Sequence, residues 1–271
     1  MRIPRTEKLF PVVPTLLTLG NAVCGFLSIT LATRIDPLST DYGPVFTAAY
    51  PIFLAMLFDV LDGHVARWTK QTSEFGAQLD SLCDVISFGV APAFLMLKFR
   101  PVDHPRLLLG IAILYLLCTV MRLARFNVET GEEDSHEWFV GLPSPAAAGT
   151  LASFAIAVPD LARLTDPSMP EFTQWIANGL LTAMTVGLPA IMFVLACLMV
   201  SKIRYPHVVN LLVRGRHNFQ HLLQLVFAIV IAAAVRELAI PVLFGYYALG
   251  SPLRATRTKI AVVLPRHSTR P

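Results

Sequence analysis

Four aspartates, Asp59, Asp62, Asp80 and Asp84, stand within one stretch, DVLDGHVARWTKQTSEFGAQLDSLCD, whose flanks Tyr50 to Phe58 and Val85 to Leu97 carry no charge. An Asp near the centre of a membrane helix costs about 2.5–3.5 kcal/mol to insert, so four would cost roughly 10 kcal/mol before their mutual repulsion. A cation bound among them offsets that cost. Spacings of three between Asp59 and Asp62 and of four between Asp80 and Asp84 put each pair on one face of its own helix. Two facing helices can then present all four carboxylates to one volume. Carboxylate oxygens select hard cations, which favours Mg²⁺ or Mn²⁺ and allows Ca²⁺. Four carboxylates exceed what one Mg²⁺ takes from protein, because it keeps waters or phosphate oxygens. Two divalent cations fit better, and such a pair clamps the attacking and leaving oxygens of a phosphoryl displacement.

The neighbouring residues agree with phosphate chemistry. Gly63 follows Asp62 directly and Ala66 lies one turn on, so a bulky ligand can approach the helix backbone. Arg67 offers a bidentate donor for phosphate. Gly76, one turn before Asp80, opens the facing helix. Each of these alone has a packing explanation; together with four aspartates they point to a phosphate ligand.

The elements that must position this cluster are membrane helices. Of the 271 residues, 55% are hydrophobic and 15% charged, against about 25% charged in soluble domains, and the mean hydropathy is +0.60. No long polar block divides the apolar segments, so the expectation is an all-α, polytopic membrane bundle. The net charge of +4 is modest. Basic residues gather at the termini and after residue 200 without interleaved aromatics, a membrane-topology pattern and not a nucleic-acid surface. Cys24, Cys83, Cys118 and Cys197 lie in apolar stretches without CxxC spacing and read as small buried hydrophobes. Arg2, Arg5 and Lys8 precede an apolar run, Leu9 to Thr33, that is too long for a signal peptide and reads as the first membrane helix.

In that first helix Thr15, Thr18, Asn21 and Gly25 share one face, either for packing or turned towards the site. A second helix is expected from about Pro44 to Arg67, carrying Asp59 and Asp62 on its last turns. A third, capped by Thr72 or Ser73, carries Asp80 and Asp84 early and runs to about Leu97. The fourth covers Leu107 to Phe126, with Arg122 and Arg125 at its end, and an acidic, solvated loop with Glu129, Glu132, Glu133, Asp134 and Glu137 follows. The fifth begins at Ser144 in GLPSPAAAG and ends near Pro159, and the sixth lies within Phe172 to Ser201. One or two further short helices are expected in Leu222 to Leu253, broken by Arg236, Glu237 and Pro241. The domain expectation is therefore a membrane domain over 1–210, an apolar helical extension over 211–253 and a basic, disordered tail over 254–271. With the N-terminus inside, eleven basic residues flank the aspartate side of the six helices and five the other, so the cluster faces the cytoplasm.

Asp59-x-x-Asp62-Gly63-x-x-Ala66-Arg67, then eight residues, then Gly76-x-x-x-Asp80-x-x-x-Asp84 resembles, position for position, the signature of the CDP-alcohol phosphotransferase family. PTLLTLGNAVCGFLSI, SEFGAQLDSLCDVISFGVAPA, RLARFN, GLPSPAAAG and MVSKIRYP are similar to the serine-using branch of that family, over about residues 10–210. The resemblance implies six core helices, a homodimer in the lipid bilayer of the inner membrane, two divalent cations and a cytoplasm-facing site. It also implies attack by the L-serine hydroxyl on the phosphorus of CDP-diacylglycerol, giving phosphatidylserine and CMP. On the same ground Asp59, Asp62, Asp80 and Asp84 would ligate metal, and Asp84 would also be the general base. Gly63, Ala66, Arg67 and Gly76 would line the pocket for the CDP moiety.

A carboxylate-bearing acceptor calls for a cationic partner. Arg122, Arg125, Lys202 and Arg204 are candidates from helix ends on the correct side, with Asn127 and Ser144 as weaker ones. Their alternative role is positive-inside anchoring. Two other functions compete. A sibling transferase using glycerol 3-phosphate or inositol phosphate would need a more basic pocket. A divalent-cation transporter would place acidic residues at mid-depth in several helices, whereas the first, fifth and sixth apolar runs carry none.

Overall fold

Six long apolar runs become six helices able to cross a membrane: Val12–Ala32, Gly43–Trp68, Glu74–Phe99, Pro105–Val128, Ser144–Arg163 and Glu171–Val200. The computed structural model describes residues 12–36, 38–39, 41–69, 73–99, 105–129, 138–206 and 240–252. Within them the protein is an integral membrane helix bundle. We number the helices α1 (Val12–Ala32), α2 (Gly43–Trp68), α3 (Glu74–Asp84), α4 (Ala91–Phe99), α5 (Pro105–Glu129), α6 (Ser144–Arg163) and α7 (Glu171–Val200). A further helix, α8, covers residues 240–252.

The third crossing is not one regular helix. Ser73 caps α3, accepting from the Gly76 amide at 3.0 Å, and a π-helical turn, Val85–Val90, joins α3 to α4. A π turn widens the hydrogen-bonding ring and re-aims the side chains around it. Here it begins at the residue after Asp84. Two neighbours hold it: Tyr115 of α5 donates its hydroxyl to the Phe88 carbonyl at 3.1 Å, and Ser87 donates to the Asn21 carbonyl of α1 at 2.8 Å. The α1 backbone meets Ser87 so closely that a Cβ at Gly25 would collide with it.

The third and fifth crossings are the most deeply buried, with the other four around them. Small side chains permit this in α6, where Ala147, Ala148, Ala152 and Ala155 are fully buried and let neighbouring backbones approach. The expected stop of this helix at Pro159 is not observed. The helix runs on to Arg163, since a proline near the end forfeits one backbone bond and the last turn gains an Asp160–Arg163 ion pair at 3.2 Å. Ser28 of α1 reaches across to the Ala48 carbonyl of α2 at 2.7 Å.

Two short strands, absent from the sequence expectations, tie the start of α6 to the exit of α7. Trp138–Val140 (β1) runs antiparallel to Arg204–Pro206 (β2), with Phe139 opposite Tyr205. Gly141 continues the tie, donating to the Ile203 carbonyl at 2.8 Å. Its φ of +85° is open to glycine, and a Cβ there would strike the Met199 carbonyl.

Of the extension expected after residue 211, α8 is described, while 222–239 and the tail from 254 lie outside the described residues, as does the acidic loop over 130–137. Phe244 packs against Gly149 with no space for a Cβ between them, and stacks edge-on to Phe53 of α2 at 5.7 Å. Tyr205 of β2 donates to the Ala248 carbonyl at 3.0 Å. The strand pair and α8 thus brace the same end of the bundle.

Candidate metal and phosphate site

The last turns of α2 and the first turns of α3 face one another, as the charged ends of a hairpin. One carboxylate oxygen each from Asp59, Asp62 and Asp80 lies within 4.8 Å of the other two. Asp62 keeps only 6% exposure, and its Oδ2 and the Oδ1 of Asp80 are buried with no hydrogen-bond partner. Buried carboxylate oxygens without donors are costly. Two such oxygens within a group of three converging carboxylates, with no ion pair to neutralise them among the described residues, make an all-oxygen site suited to a hard divalent cation. The donor set therefore fits a metal.

Asp84, one turn beyond Asp80, is set apart from that trio. It is 5% exposed, and its Oδ1 accepts from Nδ2 of Asn21 at 2.9 Å. The polar face of α1 thus serves both readings left open by its spacing. Thr18 lies near Asp62 and donates to the Pro14 carbonyl at 3.0 Å, Asn21 reaches Asp84, and Gly25 packs on the π turn.

Beside the trio the backbone is open. A Cβ at Gly63 would meet only Nη2 of Arg67, at 3.9 Å, so the Arg67 guanidinium already reaches over that glycine. Arg67 is exposed and Ala66 half-buried. At Gly76 a Cβ would come within 3.1 Å of the Ser73 hydroxyl, so glycine there also clears the helix cap.

The acceptor candidates separate. Arg122 donates through Nη1 to the hydroxyl of fully buried Ser144 at 2.6 Å, leans on the Phe126 ring at 5.7 Å, and lies in the electrostatic field of Asp84 and Asp59. Asn127 exchanges hydrogen bonds with Ser81 of α3, its Nδ2 donating at 2.9 Å, which fastens the end of α5 to the aspartate helix. Arg125 is half-buried and Lys202 exposed; the Arg204 side chain lies outside the described residues. The structure thus brings Arg122 and Ser144 together beside the carboxylates. Missed from sequence were Ser87 and the π turn, which carry no periodicity signal, and Tyr247 of α8, whose ring lies 6.0 Å from Tyr205 and whose hydroxyl shares the electrostatic surroundings of Arg122.

Comparison with known proteins agrees with this geometry. A family model described as CDP-alcohol phosphatidyltransferase matches residues 11–188, which include all four aspartates. The chain is 38% identical over 201 residues to an archaetidylserine synthase of Methanothermobacter thermautotrophicus, covering 73% of this chain and 71% of the relative. It is 32% identical over 196 residues to a CDP-diacylglycerol–serine O-phosphatidyltransferase of Bacillus subtilis, covering 72% and 90%. A protein of the same name from Helicobacter pylori is 32% identical over 194 residues, covering 72% and 71%. The matched segment, the aspartate spacing and the carboxylate geometry agree: the chain belongs to the CDP-alcohol phosphatidyltransferase family.

Proposed function

We propose that this protein transfers the phosphatidyl group of CDP-diacylglycerol to the hydroxyl of L-serine, giving phosphatidylserine and CMP. The observation that carries the reading is the convergence of the Asp59, Asp62 and Asp80 carboxylates beside the Arg122–Ser144 pair. It is supported by relatives whose names specify serine as acceptor while differing in the lipid.

Asp59, Asp62 and Asp80 would hold divalent metal, with Asp84 as a further ligand, and a pair of Mg²⁺ or Mn²⁺ ions suits the charge of four carboxylates. Bound there, divalent metal supplies charge neutralisation for the donor's phosphates and for the oxygens of the displacement. The chain's own residues do the rest. Gly63 and Gly76 leave room for the nucleotide, and Arg67 pairs with phosphate oxygens. Arg122, oriented by Ser144, keeps donors for the serine carboxylate. Asp84 takes the hydroxyl proton as the serine oxygen bonds to phosphorus and the bond from phosphorus to the CMP oxygen breaks. A metal-ligating carboxylate is a weak base, so reach to that proton decides its value.

We further propose that the active end faces the cytoplasm of a cell with this protein in its inner membrane, and that the protein works as a homodimer. Purified protein given CDP-diacylglycerol and a panel of alcohols tests the substrate. Serine-dependent CMP release with phosphatidylserine identified by mass is expected; turnover with another alcohol and none with serine would overturn the reading. Chelation should abolish CMP release and Mg²⁺ or Mn²⁺ restore it, and indifference to chelator would remove the metal from the mechanism.

A further inference from the structure

We propose that Asn21 of α1 is a positioning residue for the transfer: by pinning one oxygen of Asp84, it holds that carboxylate apart from the Asp59–Asp62–Asp80 trio with its other oxygen turned to the acceptor. The inference rests on the functional reading above and goes beyond the family signature, which begins at Asp59.

The direction of the hydrogen bond follows from chemistry. A carboxylate only accepts, so the amide must present its NH₂ to Asp84, and the distance is 2.9 Å. That choice leaves Oδ1 of Asn21 buried with no partner in a residue that has no exposure at all. An acceptor left bare in the interior is a cost that packing alone would have removed, since an apolar side chain of the same shape carries none. The amide's bond to Asp84, which an apolar side chain could not make, offsets that cost.

Asn21 is itself immobilised. Its backbone carbonyl accepts from the Ser87 hydroxyl at 2.8 Å, and the close approach of Gly25 to Ser87 locks α1 against the π turn. Asp84 ends α3 immediately before that turn. The carboxylate is therefore held from both sides, by its own backbone and by the α1 amide. Among the described residues, Asn21 provides its one hydrogen bond.

The test is steady-state kinetics on Asn21→Leu, close in volume but without the donor, using whichever alcohol the wild-type protein turns over. We expect kcat to fall at least about tenfold, while KM for CDP-diacylglycerol stays within about twofold, because uniform binding is untouched. An unchanged kcat, or a rise in KM with kcat intact, overturns the proposal. Should Asn21→Leu fail to fold, Ser87→Ala decides: a smaller loss confined to kcat supports the role, and wild-type kinetics refute it. A wild-type protein that uses another alcohol refutes the serine reading and leaves the Asn21 comparison standing.

Discussion

At the level of single residues the four aspartates have different surroundings, and the difference was only half visible in their spacing. Intervals of three and four placed each pair on one helical face, and three of the four carboxylates do converge. The separate anchoring of Asp84 depends on a partner sixty-three positions away, at Asn21, which no local pattern encodes. Asp84→Asn keeps shape and packing but removes the proposed proton acceptor, so we expect a folded, membrane-inserted protein whose transfer rate is lower by roughly a hundredfold or more. Full activity of that variant with metal and both substrates would refute the base assignment. The Arg122–Ser144 pair predicts a different signature. Arg122→Lys keeps the charge and loses the planar fork, and a charge-assisted bond is worth about 1.5–3 kcal/mol, so KM for serine should rise by roughly tenfold or more. An unaltered serine KM would assign Arg122 to membrane anchoring.

Among the elements, the six crossings were legible because length and apolarity suffice for a membrane helix. Details that depend on contact were not. The π turn after Asp84 arises where Ser87, Phe88 and Tyr115 exchange bonds between crossings, and VISFGV reads as ordinary apolar helix by composition. The β1–β2 pair joins residues more than sixty apart, too far for a hairpin signal. Pro159 misled for the opposite reason, because a local helix breaker so near the end of α6 forfeits only one backbone bond and does not stop its last turn. Glycines offer a direct test of these contacts. Gly25→Ala would drive a Cβ into Ser87, and overpacking of this kind costs about 1–3 kcal/mol, so thermal unfolding in detergent should shift downward and turnover should fall with it. Gly187→Ala on α7, where no described residue would meet the added Cβ within 4 Å, is the control and should leave both unchanged or raise stability. Equal effects at the two positions would mean that the α1 contact with the π turn is not tight.

For the whole molecule the question is which end meets the cytoplasm. The alternation of six crossings puts the aspartate ends of α2 and α3 on the same side as the exits of α5 and α7, with the α1–α2 and α6–α7 connections opposite. The positive residues favour an inward aspartate end, which opens the cluster to a water-soluble alcohol of the cytoplasm. The Lys98 to Arg106 segment places positive charge on the other side, against that trend, and cysteine labelling decides between the two orientations. Two exposed positions report on opposite ends: Lys202, just after α7, and Ser168, in the α6–α7 connection. In a background with the exposed Cys197 replaced by Ser, Ser168→Cys should react in intact cells with a membrane-impermeant maleimide. Lys202→Cys should react only after the membrane is opened. The reverse pattern would place the aspartates outside and overturn the proposed orientation.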